Sequence, residues 1–227
     1  MLTEFLHIGT VDFIFYLLFN KILSYKITVN YSNTTRWFLL HSIINFIVVY
    51  YSLNDISNCI LNSNECFKIN WNENSIKVYN YAFILHIYHC IFFNLTRDDY
   101  IHHISMVAIC GTLCYLIKSI ISSLALFFLS GLPGAIDYFL LFLVKINKMS
   151  AITEKKIYLY LSAFLRAPGC VITFFIGTHG LFEYYFNDKY YEFMLLFLTL
   201  NLIFWNGQYY LLKSHESYIK KQFVNVS

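Results

Sequence analysis

The stretch Thr96-Arg97-Asp98-Asp99-Tyr100-Ile101-His102-His103 ends one apolar run, Tyr79–Leu95, and opens the next, His102–Ile117. Both flanking runs approach the roughly 20 mainly apolar residues that a helix needs to cross a bilayer. The pattern recurs along the whole chain of 227 residues, which is 58% hydrophobic, 20% aromatic and only 13% charged, with a mean hydropathy of +0.54. That is too apolar for a soluble globular domain. The expected fold is all-α, a multi-pass transmembrane helical bundle.

Seven spans can be drawn: Phe5–Leu23, Trp37–Leu53, Tyr79–Leu95, His102–Ile117, Ser122–Val144, Ile157–Ile176 and Tyr190–Leu212. Only Lys118-Ser119 separates the fourth from the fifth, so a six-span count stays open. An Asn-rich tract from Asn54 to Asn74 reads as one long loop. With seven spans, eleven Lys and Arg fall on one side of the membrane and four on the other, and Arg166 lies inside a span. The positive-inside rule then puts the N-terminus in the lumen and the C-terminus in the cytosol. Lys21, Lys26, Arg36, Arg97, Lys145 and Lys213 are among the cytosolic charges. The sequons at Asn30, Asn33, Asn94 and Asn225 fall on that side too, where they stay unglycosylated.

The formal charge of +3 is too small and dispersed for nucleic acid. A cleavable signal peptide is not expected, because Met1-Leu2-Thr3-Glu4 has no positive region and no small-residue cleavage site follows. The six cysteines have no metal-ligand spacing. Cys90, Cys110, Cys114 and Cys170 read as packing residues, and Cys59 with Cys66 would pair only in an oxidising compartment.

Ionisable groups inside a bilayer are costly unless they face a partner or water. Asp137 lies eight residues before Lys145, about 12 Å along a helix, and follows Gly131-Leu132-Pro133-Gly134, which should interrupt the helix. Arg166, followed by Pro168-Gly169, sits at a similar depth ten residues after Lys156. An Asp137–Arg166 pair is the expectation, structural or substrate-contacting. His86 and His89 share a face of the third span, as do His41 and Asn45 on the second. With Asn201, Asn206 and Gln208 they mark inward faces, as interhelical glue or cavity lining.

The opening stretch has a bland reading: Arg97 anchors the interface, Asp98 and Asp99 cap the fourth span, and His102 and His103 are early helical residues. Its chemical reading makes a neutral His102 or His103 a general base oriented by Asp99 or Asp137. Di-iron desaturase chemistry would need several separate histidine boxes. A fatty-acid elongase box would need His at the position of Asp99. Neither pattern is present.

On these residues the chain resembles the TLC-domain family, which includes ceramide synthases, translocon-associated membrane proteins and lipid-regulating membrane proteins. The resemblance runs from about Arg36 to Lys221. It rests on Arg36-Trp37 with Ser42, Arg97-Asp98-Asp99-Tyr100 leading to His102-His103, Asp137-Tyr-Phe-Leu140 followed by Lys145, Arg166, and Asn201-Leu-Ile-Phe-Trp205. In ceramide synthases the adjacent histidines and a downstream His-Asp-x-x-Asp carry N-acylation of a sphingoid base by acyl-CoA. Here Asp137 matches the last aspartate, but Pro133 and Gly134 replace the first His and Asp, and Leu141 replaces the acid that usually follows.

The resemblance therefore implies a TLC-like domain over 36–221, preceded by a first helix and loop over 1–35 and followed by a short tail over 222–227. It implies a membrane lipid as partner, with a homo-oligomer left open, and residence in the endoplasmic reticulum, although Val224-Asn225-Val226-Ser227 is not a retention signal. The leading expectation is lipid binding or handling in a cavity open to the cytosol, lined by Arg166, His86, His89, His41 and Asn201. The alternatives are an acyl-CoA-dependent N-acyltransferase using His102, His103, Asp99 and Asp137, and a non-enzymatic scaffold. No metal or cofactor is expected beyond acyl-CoA as a co-substrate.

Overall fold

The computed structural model describes residues 1–19 and 29–224, with side chains placed for 1–19 and 33–223. Lys21, Leu23, Lys26 and the sequon at Asn225 lie outside what is described, as does the side chain of Asn30. Seven helices follow one another among the described residues: α1 Leu2–Leu18, α2 Val29–Leu61, α3 Glu73–Phe92, α4 Arg97–Ile117, α5 Ile121–Lys145, α6 Ala151–Phe186 and α7 Tyr190–Val224. Five of them, α2 and α4 to α7, are long and apolar enough to cross a membrane. No strand forms among the described residues beyond one isolated bridge between Asn70 and Ser119.

α3 does not pass that apolarity criterion, and its position explains why. It buries Val78, Asn80, Ala82, Leu85, His86 and His89, among others, and Val78, Leu85 and Tyr88 share one core cluster with Ile8 of α1 and Trp37, Leu40 and Ile44 of α2. A helix wrapped by protein can carry polar groups that a lipid-facing helix cannot. α1 is fastened to this centre by polar contacts. Arg36 Nε lies 2.7 Å from Asp12 Oδ1, Tyr88 Oη donates to Asp12 Oδ2 at 2.9 Å, and Asn80 donates to Glu4 at 3.2 Å.

The boundary at Lys118-Ser119 is a true chain reversal. Lys118 ends α4 in the left-handed region with φ 52°, and the Trp71 indole N–H donates to Ser119 O at 2.9 Å and Ser122 Oγ at 2.7 Å. The expected loop from Asn54 to Asn74 is shorter than read, because α2 continues to Leu61. Asp55, fully buried, explains the extension: it accepts from Asn72 at 2.9 Å and Ser75 at 2.7 Å, tying α2 to the N-terminus of α3. A Cys59–Cys66 disulfide closes the same turn. Lys68 bonds Glu183 at 3.0 Å and Glu65 at 3.1 Å, and Glu183 first, then Glu65, hold its ammonium above the usual lysine range.

Apolar burial drives helix association weakly in lipid, so close approach through small residues matters more. On α6, Gly177 lies against Leu200 and Gly180 against Leu196, and on α7 Gly207 lies against Cys170. A Cβ at any of the three would overlap the facing side chain.

The interruptions expected at Gly131–Gly134 and around Pro168 take a specific form. Both helices continue through them, but with π-helical turns at Phe127–Gly131 and Ser162–Arg166, and a third π-helical stretch runs through His103–Cys110. Such turns release backbone groups from the regular ladder, and they recur at functional sites.

Candidate polar site at the end of an apolar cavity

α4 begins with a capping box: Thr96 Oγ1 accepts from the Asp99 amide, and Asp99 Oδ2 accepts from the Thr96 amide and hydroxyl, both at 2.7 Å. Thr96, not Asp98 or Asp99, is the N-cap. The Asp99 carboxylate is spent on this local structure because a Thr three residues ahead offers two donors at contact distance.

The helix start aims His102 and His103 at α3. Five of the eight histidines meet there. Ring centroids of His86 stand 5.2 Å from His102, 5.3 Å from His103 and 5.8 Å from His41, and His89 stands 5.3 Å from His103. Aromatic faces complete the cluster, with Trp37 stacked on His89 at 4.0 Å and Tyr138 stacked on His41 at 3.7 Å. Asn45 donates to His41 Nδ1 at 2.9 Å.

The hydrogen bonds through this cluster have a direction. A carbonyl only accepts, so His86 Nδ1 donates to Ala82 O at 2.6 Å. With neutral rings its Nε2 then accepts from His102 Nε2 at 3.2 Å. The remaining His102 nitrogen, Nδ1, accepts from the Tyr210 hydroxyl at 3.3 Å. Both nitrogens of His102 are therefore engaged, one by α3 and one by α7. His103 Nδ1 is buried with no hydrogen-bond partner.

Beyond His102 a half-open, mainly apolar cleft of about 80 Å³ runs into the protein. Its polar end is formed by His86, His102, Arg166, Asn206 and Tyr210, and its far end by Tyr79, Cys110, Cys114 and Ser122. His102 and Cys114, twelve residues apart on α4, mark its two ends. The α4 wall is the least buried of the five apolar helices, at 17%. Two vestibules flank the histidines. One, shared through His102, Asn206 and Tyr210, includes Asp98, Trp205 and Lys213. The other includes Trp37, His89, Asp99 and Tyr138.

Arg166 and Asp137 form no salt bridge, although each lies near enough to act on the other's charge. The two amino groups of Arg166 donate to Leu129 O at 2.5 Å and to Tyr158 Oη at 3.3 Å, and the guanidinium lies 4.7 Å from the Tyr210 ring centroid. Leu129 O is available because its helical donor would be residue 133, a proline without an N–H. Asp137 has a second acid beside it. Its carboxyl lies against that of buried Glu154, which Lys155 bonds at 3.1 Å. Asp137 Oδ1 has no hydrogen-bond partner.

Of the residues expected at the site, His41, His86, His89, His102 and His103 come together, and Arg166 reaches the same cavity. Asp99 stands at the rim, in the second vestibule. Asn201 is a correction: it is exposed, and its amide is bonded to Phe197 O at 2.7 Å, because the α7 face that meets α6 carries Leu196, Leu200, Ile203 and Asn206 instead. Tyr210, Tyr158 and Tyr138 were not foreseen. With 20 tyrosines in the chain, one more carries no signal, although Tyr210 follows inward-facing Asn206 by one helical turn.

Gly134, where the acyltransferase pattern has an aspartate, is packed against α2. A Cβ there would stand 2.6 Å from Asn45 Nδ2, and Ser42 Oγ donates to Ala135 O at 2.7 Å one residue on. Compared with protein-family models, with curated proteins and with solved structures, the chain gives no match.

Proposed function

We propose that the chain is a seven-span, TLC-like integral membrane protein that binds or handles a membrane lipid. In this reading it belongs to the endoplasmic reticulum, with the histidine end facing the cytosol. The observation that carries it is the cavity: a half-open, mainly apolar cleft with Arg166 and the histidines gathered at one end, walled on one side by the least buried of the apolar helices. A hydrocarbon chain suits the cleft, and a head group suits the polar end. Purifying the full chain and extracting its lipids tests this. The expected result is one lipid class enriched over the bulk membrane, and lost when Cys114→Trp fills the far end. Bulk lipid in both proteins would favour a scaffold.

A second reading, acyl-CoA-dependent N-acylation of an amine-bearing lipid, is favoured by one observation. His102 lies on the wall of both the cavity and a vestibule, so a chain in the cleft and a nucleophile outside it would meet at this ring. The acidic partners expected for it are engaged elsewhere, Asp99 in the capping box and Asp137 beside Glu154. Incubating the protein with labelled acyl-CoA and a sphingoid base is the test. No product above that of a His102→Ala/His103→Ala double mutant would remove the enzyme reading.

A further inference from the structure

Arg166 is the one arginine on the wall of the apolar cavity, and its surroundings leave it incompletely satisfied. Of the five N–H donors of a guanidinium, two are accounted for, by Leu129 O and Tyr158 Oη. The Nε is buried with no hydrogen-bond partner. Among the ion pairs of the described residues none involves Arg166. Its neighbours on the cavity wall are His102, Asn206 and Tyr210, and Asp137, the acid near enough to act on its charge, makes no salt bridge with it and lies beside Glu154 and Lys155 as well. An arginine held at membrane depth is expensive without a counter-charge, and a planar fork of donors matches carboxylate and phosphate oxygens.

We propose that Arg166 receives the head group of the cavity's ligand, and that the ligand is a single-chain amphiphile with an anionic oxygen head, a carboxylate or a phosphate monoester. The inference rests on the lipid-binding reading above and narrows it. The cleft is narrow, with Met106, Val107 and Cys110 of α4 along its length, which suits one chain rather than two. The head lies against Arg166, with the Asn206 amide as a further donor at the same end. Lys213 stands in the adjoining vestibule beside Asp98 and adds a cation on the approach. An ammonium head, as in a sphingoid base, would meet a buried guanidinium and is disfavoured. Arg166 thus distinguishes head groups, while the cleft accepts any chain that fits.

The test is displacement of tritiated hexadecanol from the purified full chain in detergent micelles by hexadecanoate, hexadecyl phosphate and hexadecylamine. Wild type should prefer one or both anionic heads over the alcohol and the amine by about tenfold, the effect of a charge-assisted hydrogen bond. Preference for one anion over the other names the source. Arg166→Gln should bind hexadecanol as before and lose the preference, while Arg166→Lys retains part of it. Equal competition by all heads in wild type, or a preference that survives in Arg166→Gln, overturns the head-group inference and leaves the lipid reading intact. Failure of hexadecanol itself to bind overturns both. If Arg166→Gln does not accumulate, the wild-type series and Arg166→Lys decide alone.

Discussion

The guanidinium of Arg166 donates to the carbonyl oxygen of Leu129 at 2.5 Å, and Pro133 is what makes that oxygen available. A proline four residues on removes the backbone donor, the helix loosens into a π-helical turn over Phe127–Gly131, and a side chain from α6 satisfies the acceptor. Pro133→Ala restores a backbone N–H. Arg166→Gln should therefore destabilise a Pro133→Ala protein less than it destabilises wild type, by about 1 kcal/mol in a double-mutant cycle. Thermal unfolding of the four purified proteins measures this, and strictly additive losses would sink the link.

Asp12 and Arg36 form a second interhelical contact, with side chains 9% and 12% exposed. Removing one member of a buried pair leaves an uncompensated charge. Asp12→Ala should cost about 3–5 kcal/mol, and Asp12→Leu/Arg36→Met should recover most of it. Tyr88→Phe deletes only the hydroxyl at 2.9 Å from Asp12 and should cost about 1 kcal/mol. Melting temperatures that fall equally for the single and double changes would argue against the pair.

Gly134 stands at the position that the acyltransferase signature gives to an acid, and its surroundings leave no room for one. The new Cβ would meet Asn45 Nδ2 at 2.6 Å, and overpacking of this kind costs about 1–3 kcal/mol. Gly134→Asp should reduce the amount of protein recovered from membranes, and Asn45→Ala in the same chain should relieve the loss. Wild-type recovery of Gly134→Asp alone would mean that α2 and α5 are less closely packed than described.

The Cys59–Cys66 bond closes a short turn between α2 and α3. Maleimide labelling under denaturing conditions should modify four cysteines before reduction and six after, matching the free thiols of Cys90, Cys110, Cys114 and Cys170. Cys59→Ser should cost about 2–3 kcal/mol, as expected for a loop of this length. Six labelled cysteines without reductant would show that the pair is open.

Much of the helical plan was legible in the residues. Composition and apolar runs mark every helix, and Lys118-Ser119, the weakest boundary, is a reversal because a left-handed residue there ends the helix. The histidines were legible as inward-facing groups because helical spacing puts His86 with His89, and His41 with Asn45, on one face. Their convergence from three helices was not, since spacing describes one helix at a time. Asn201 misled for the same reason: a polar residue on an apolar helix can face the protein or satisfy itself on its own carbonyl row, as this one does with Phe197.

The sequence by itself determined a bundle of apolar helices, with a charged turn before His102 and two proline-marked interruptions. Those properties follow from local chemistry: hydropathy, capping and the missing amide of proline. Only the tertiary structure decided which partners the polar groups take. Arg166 and Asp137 share a depth and lie near each other without bonding: the arginine's donors go to Leu129 and Tyr158, while the aspartate lies against Glu154. Depth is set by residue count and is readable from sequence. Facing is set by how helices rotate and pack against one another, and that information exists only once all of them are in place.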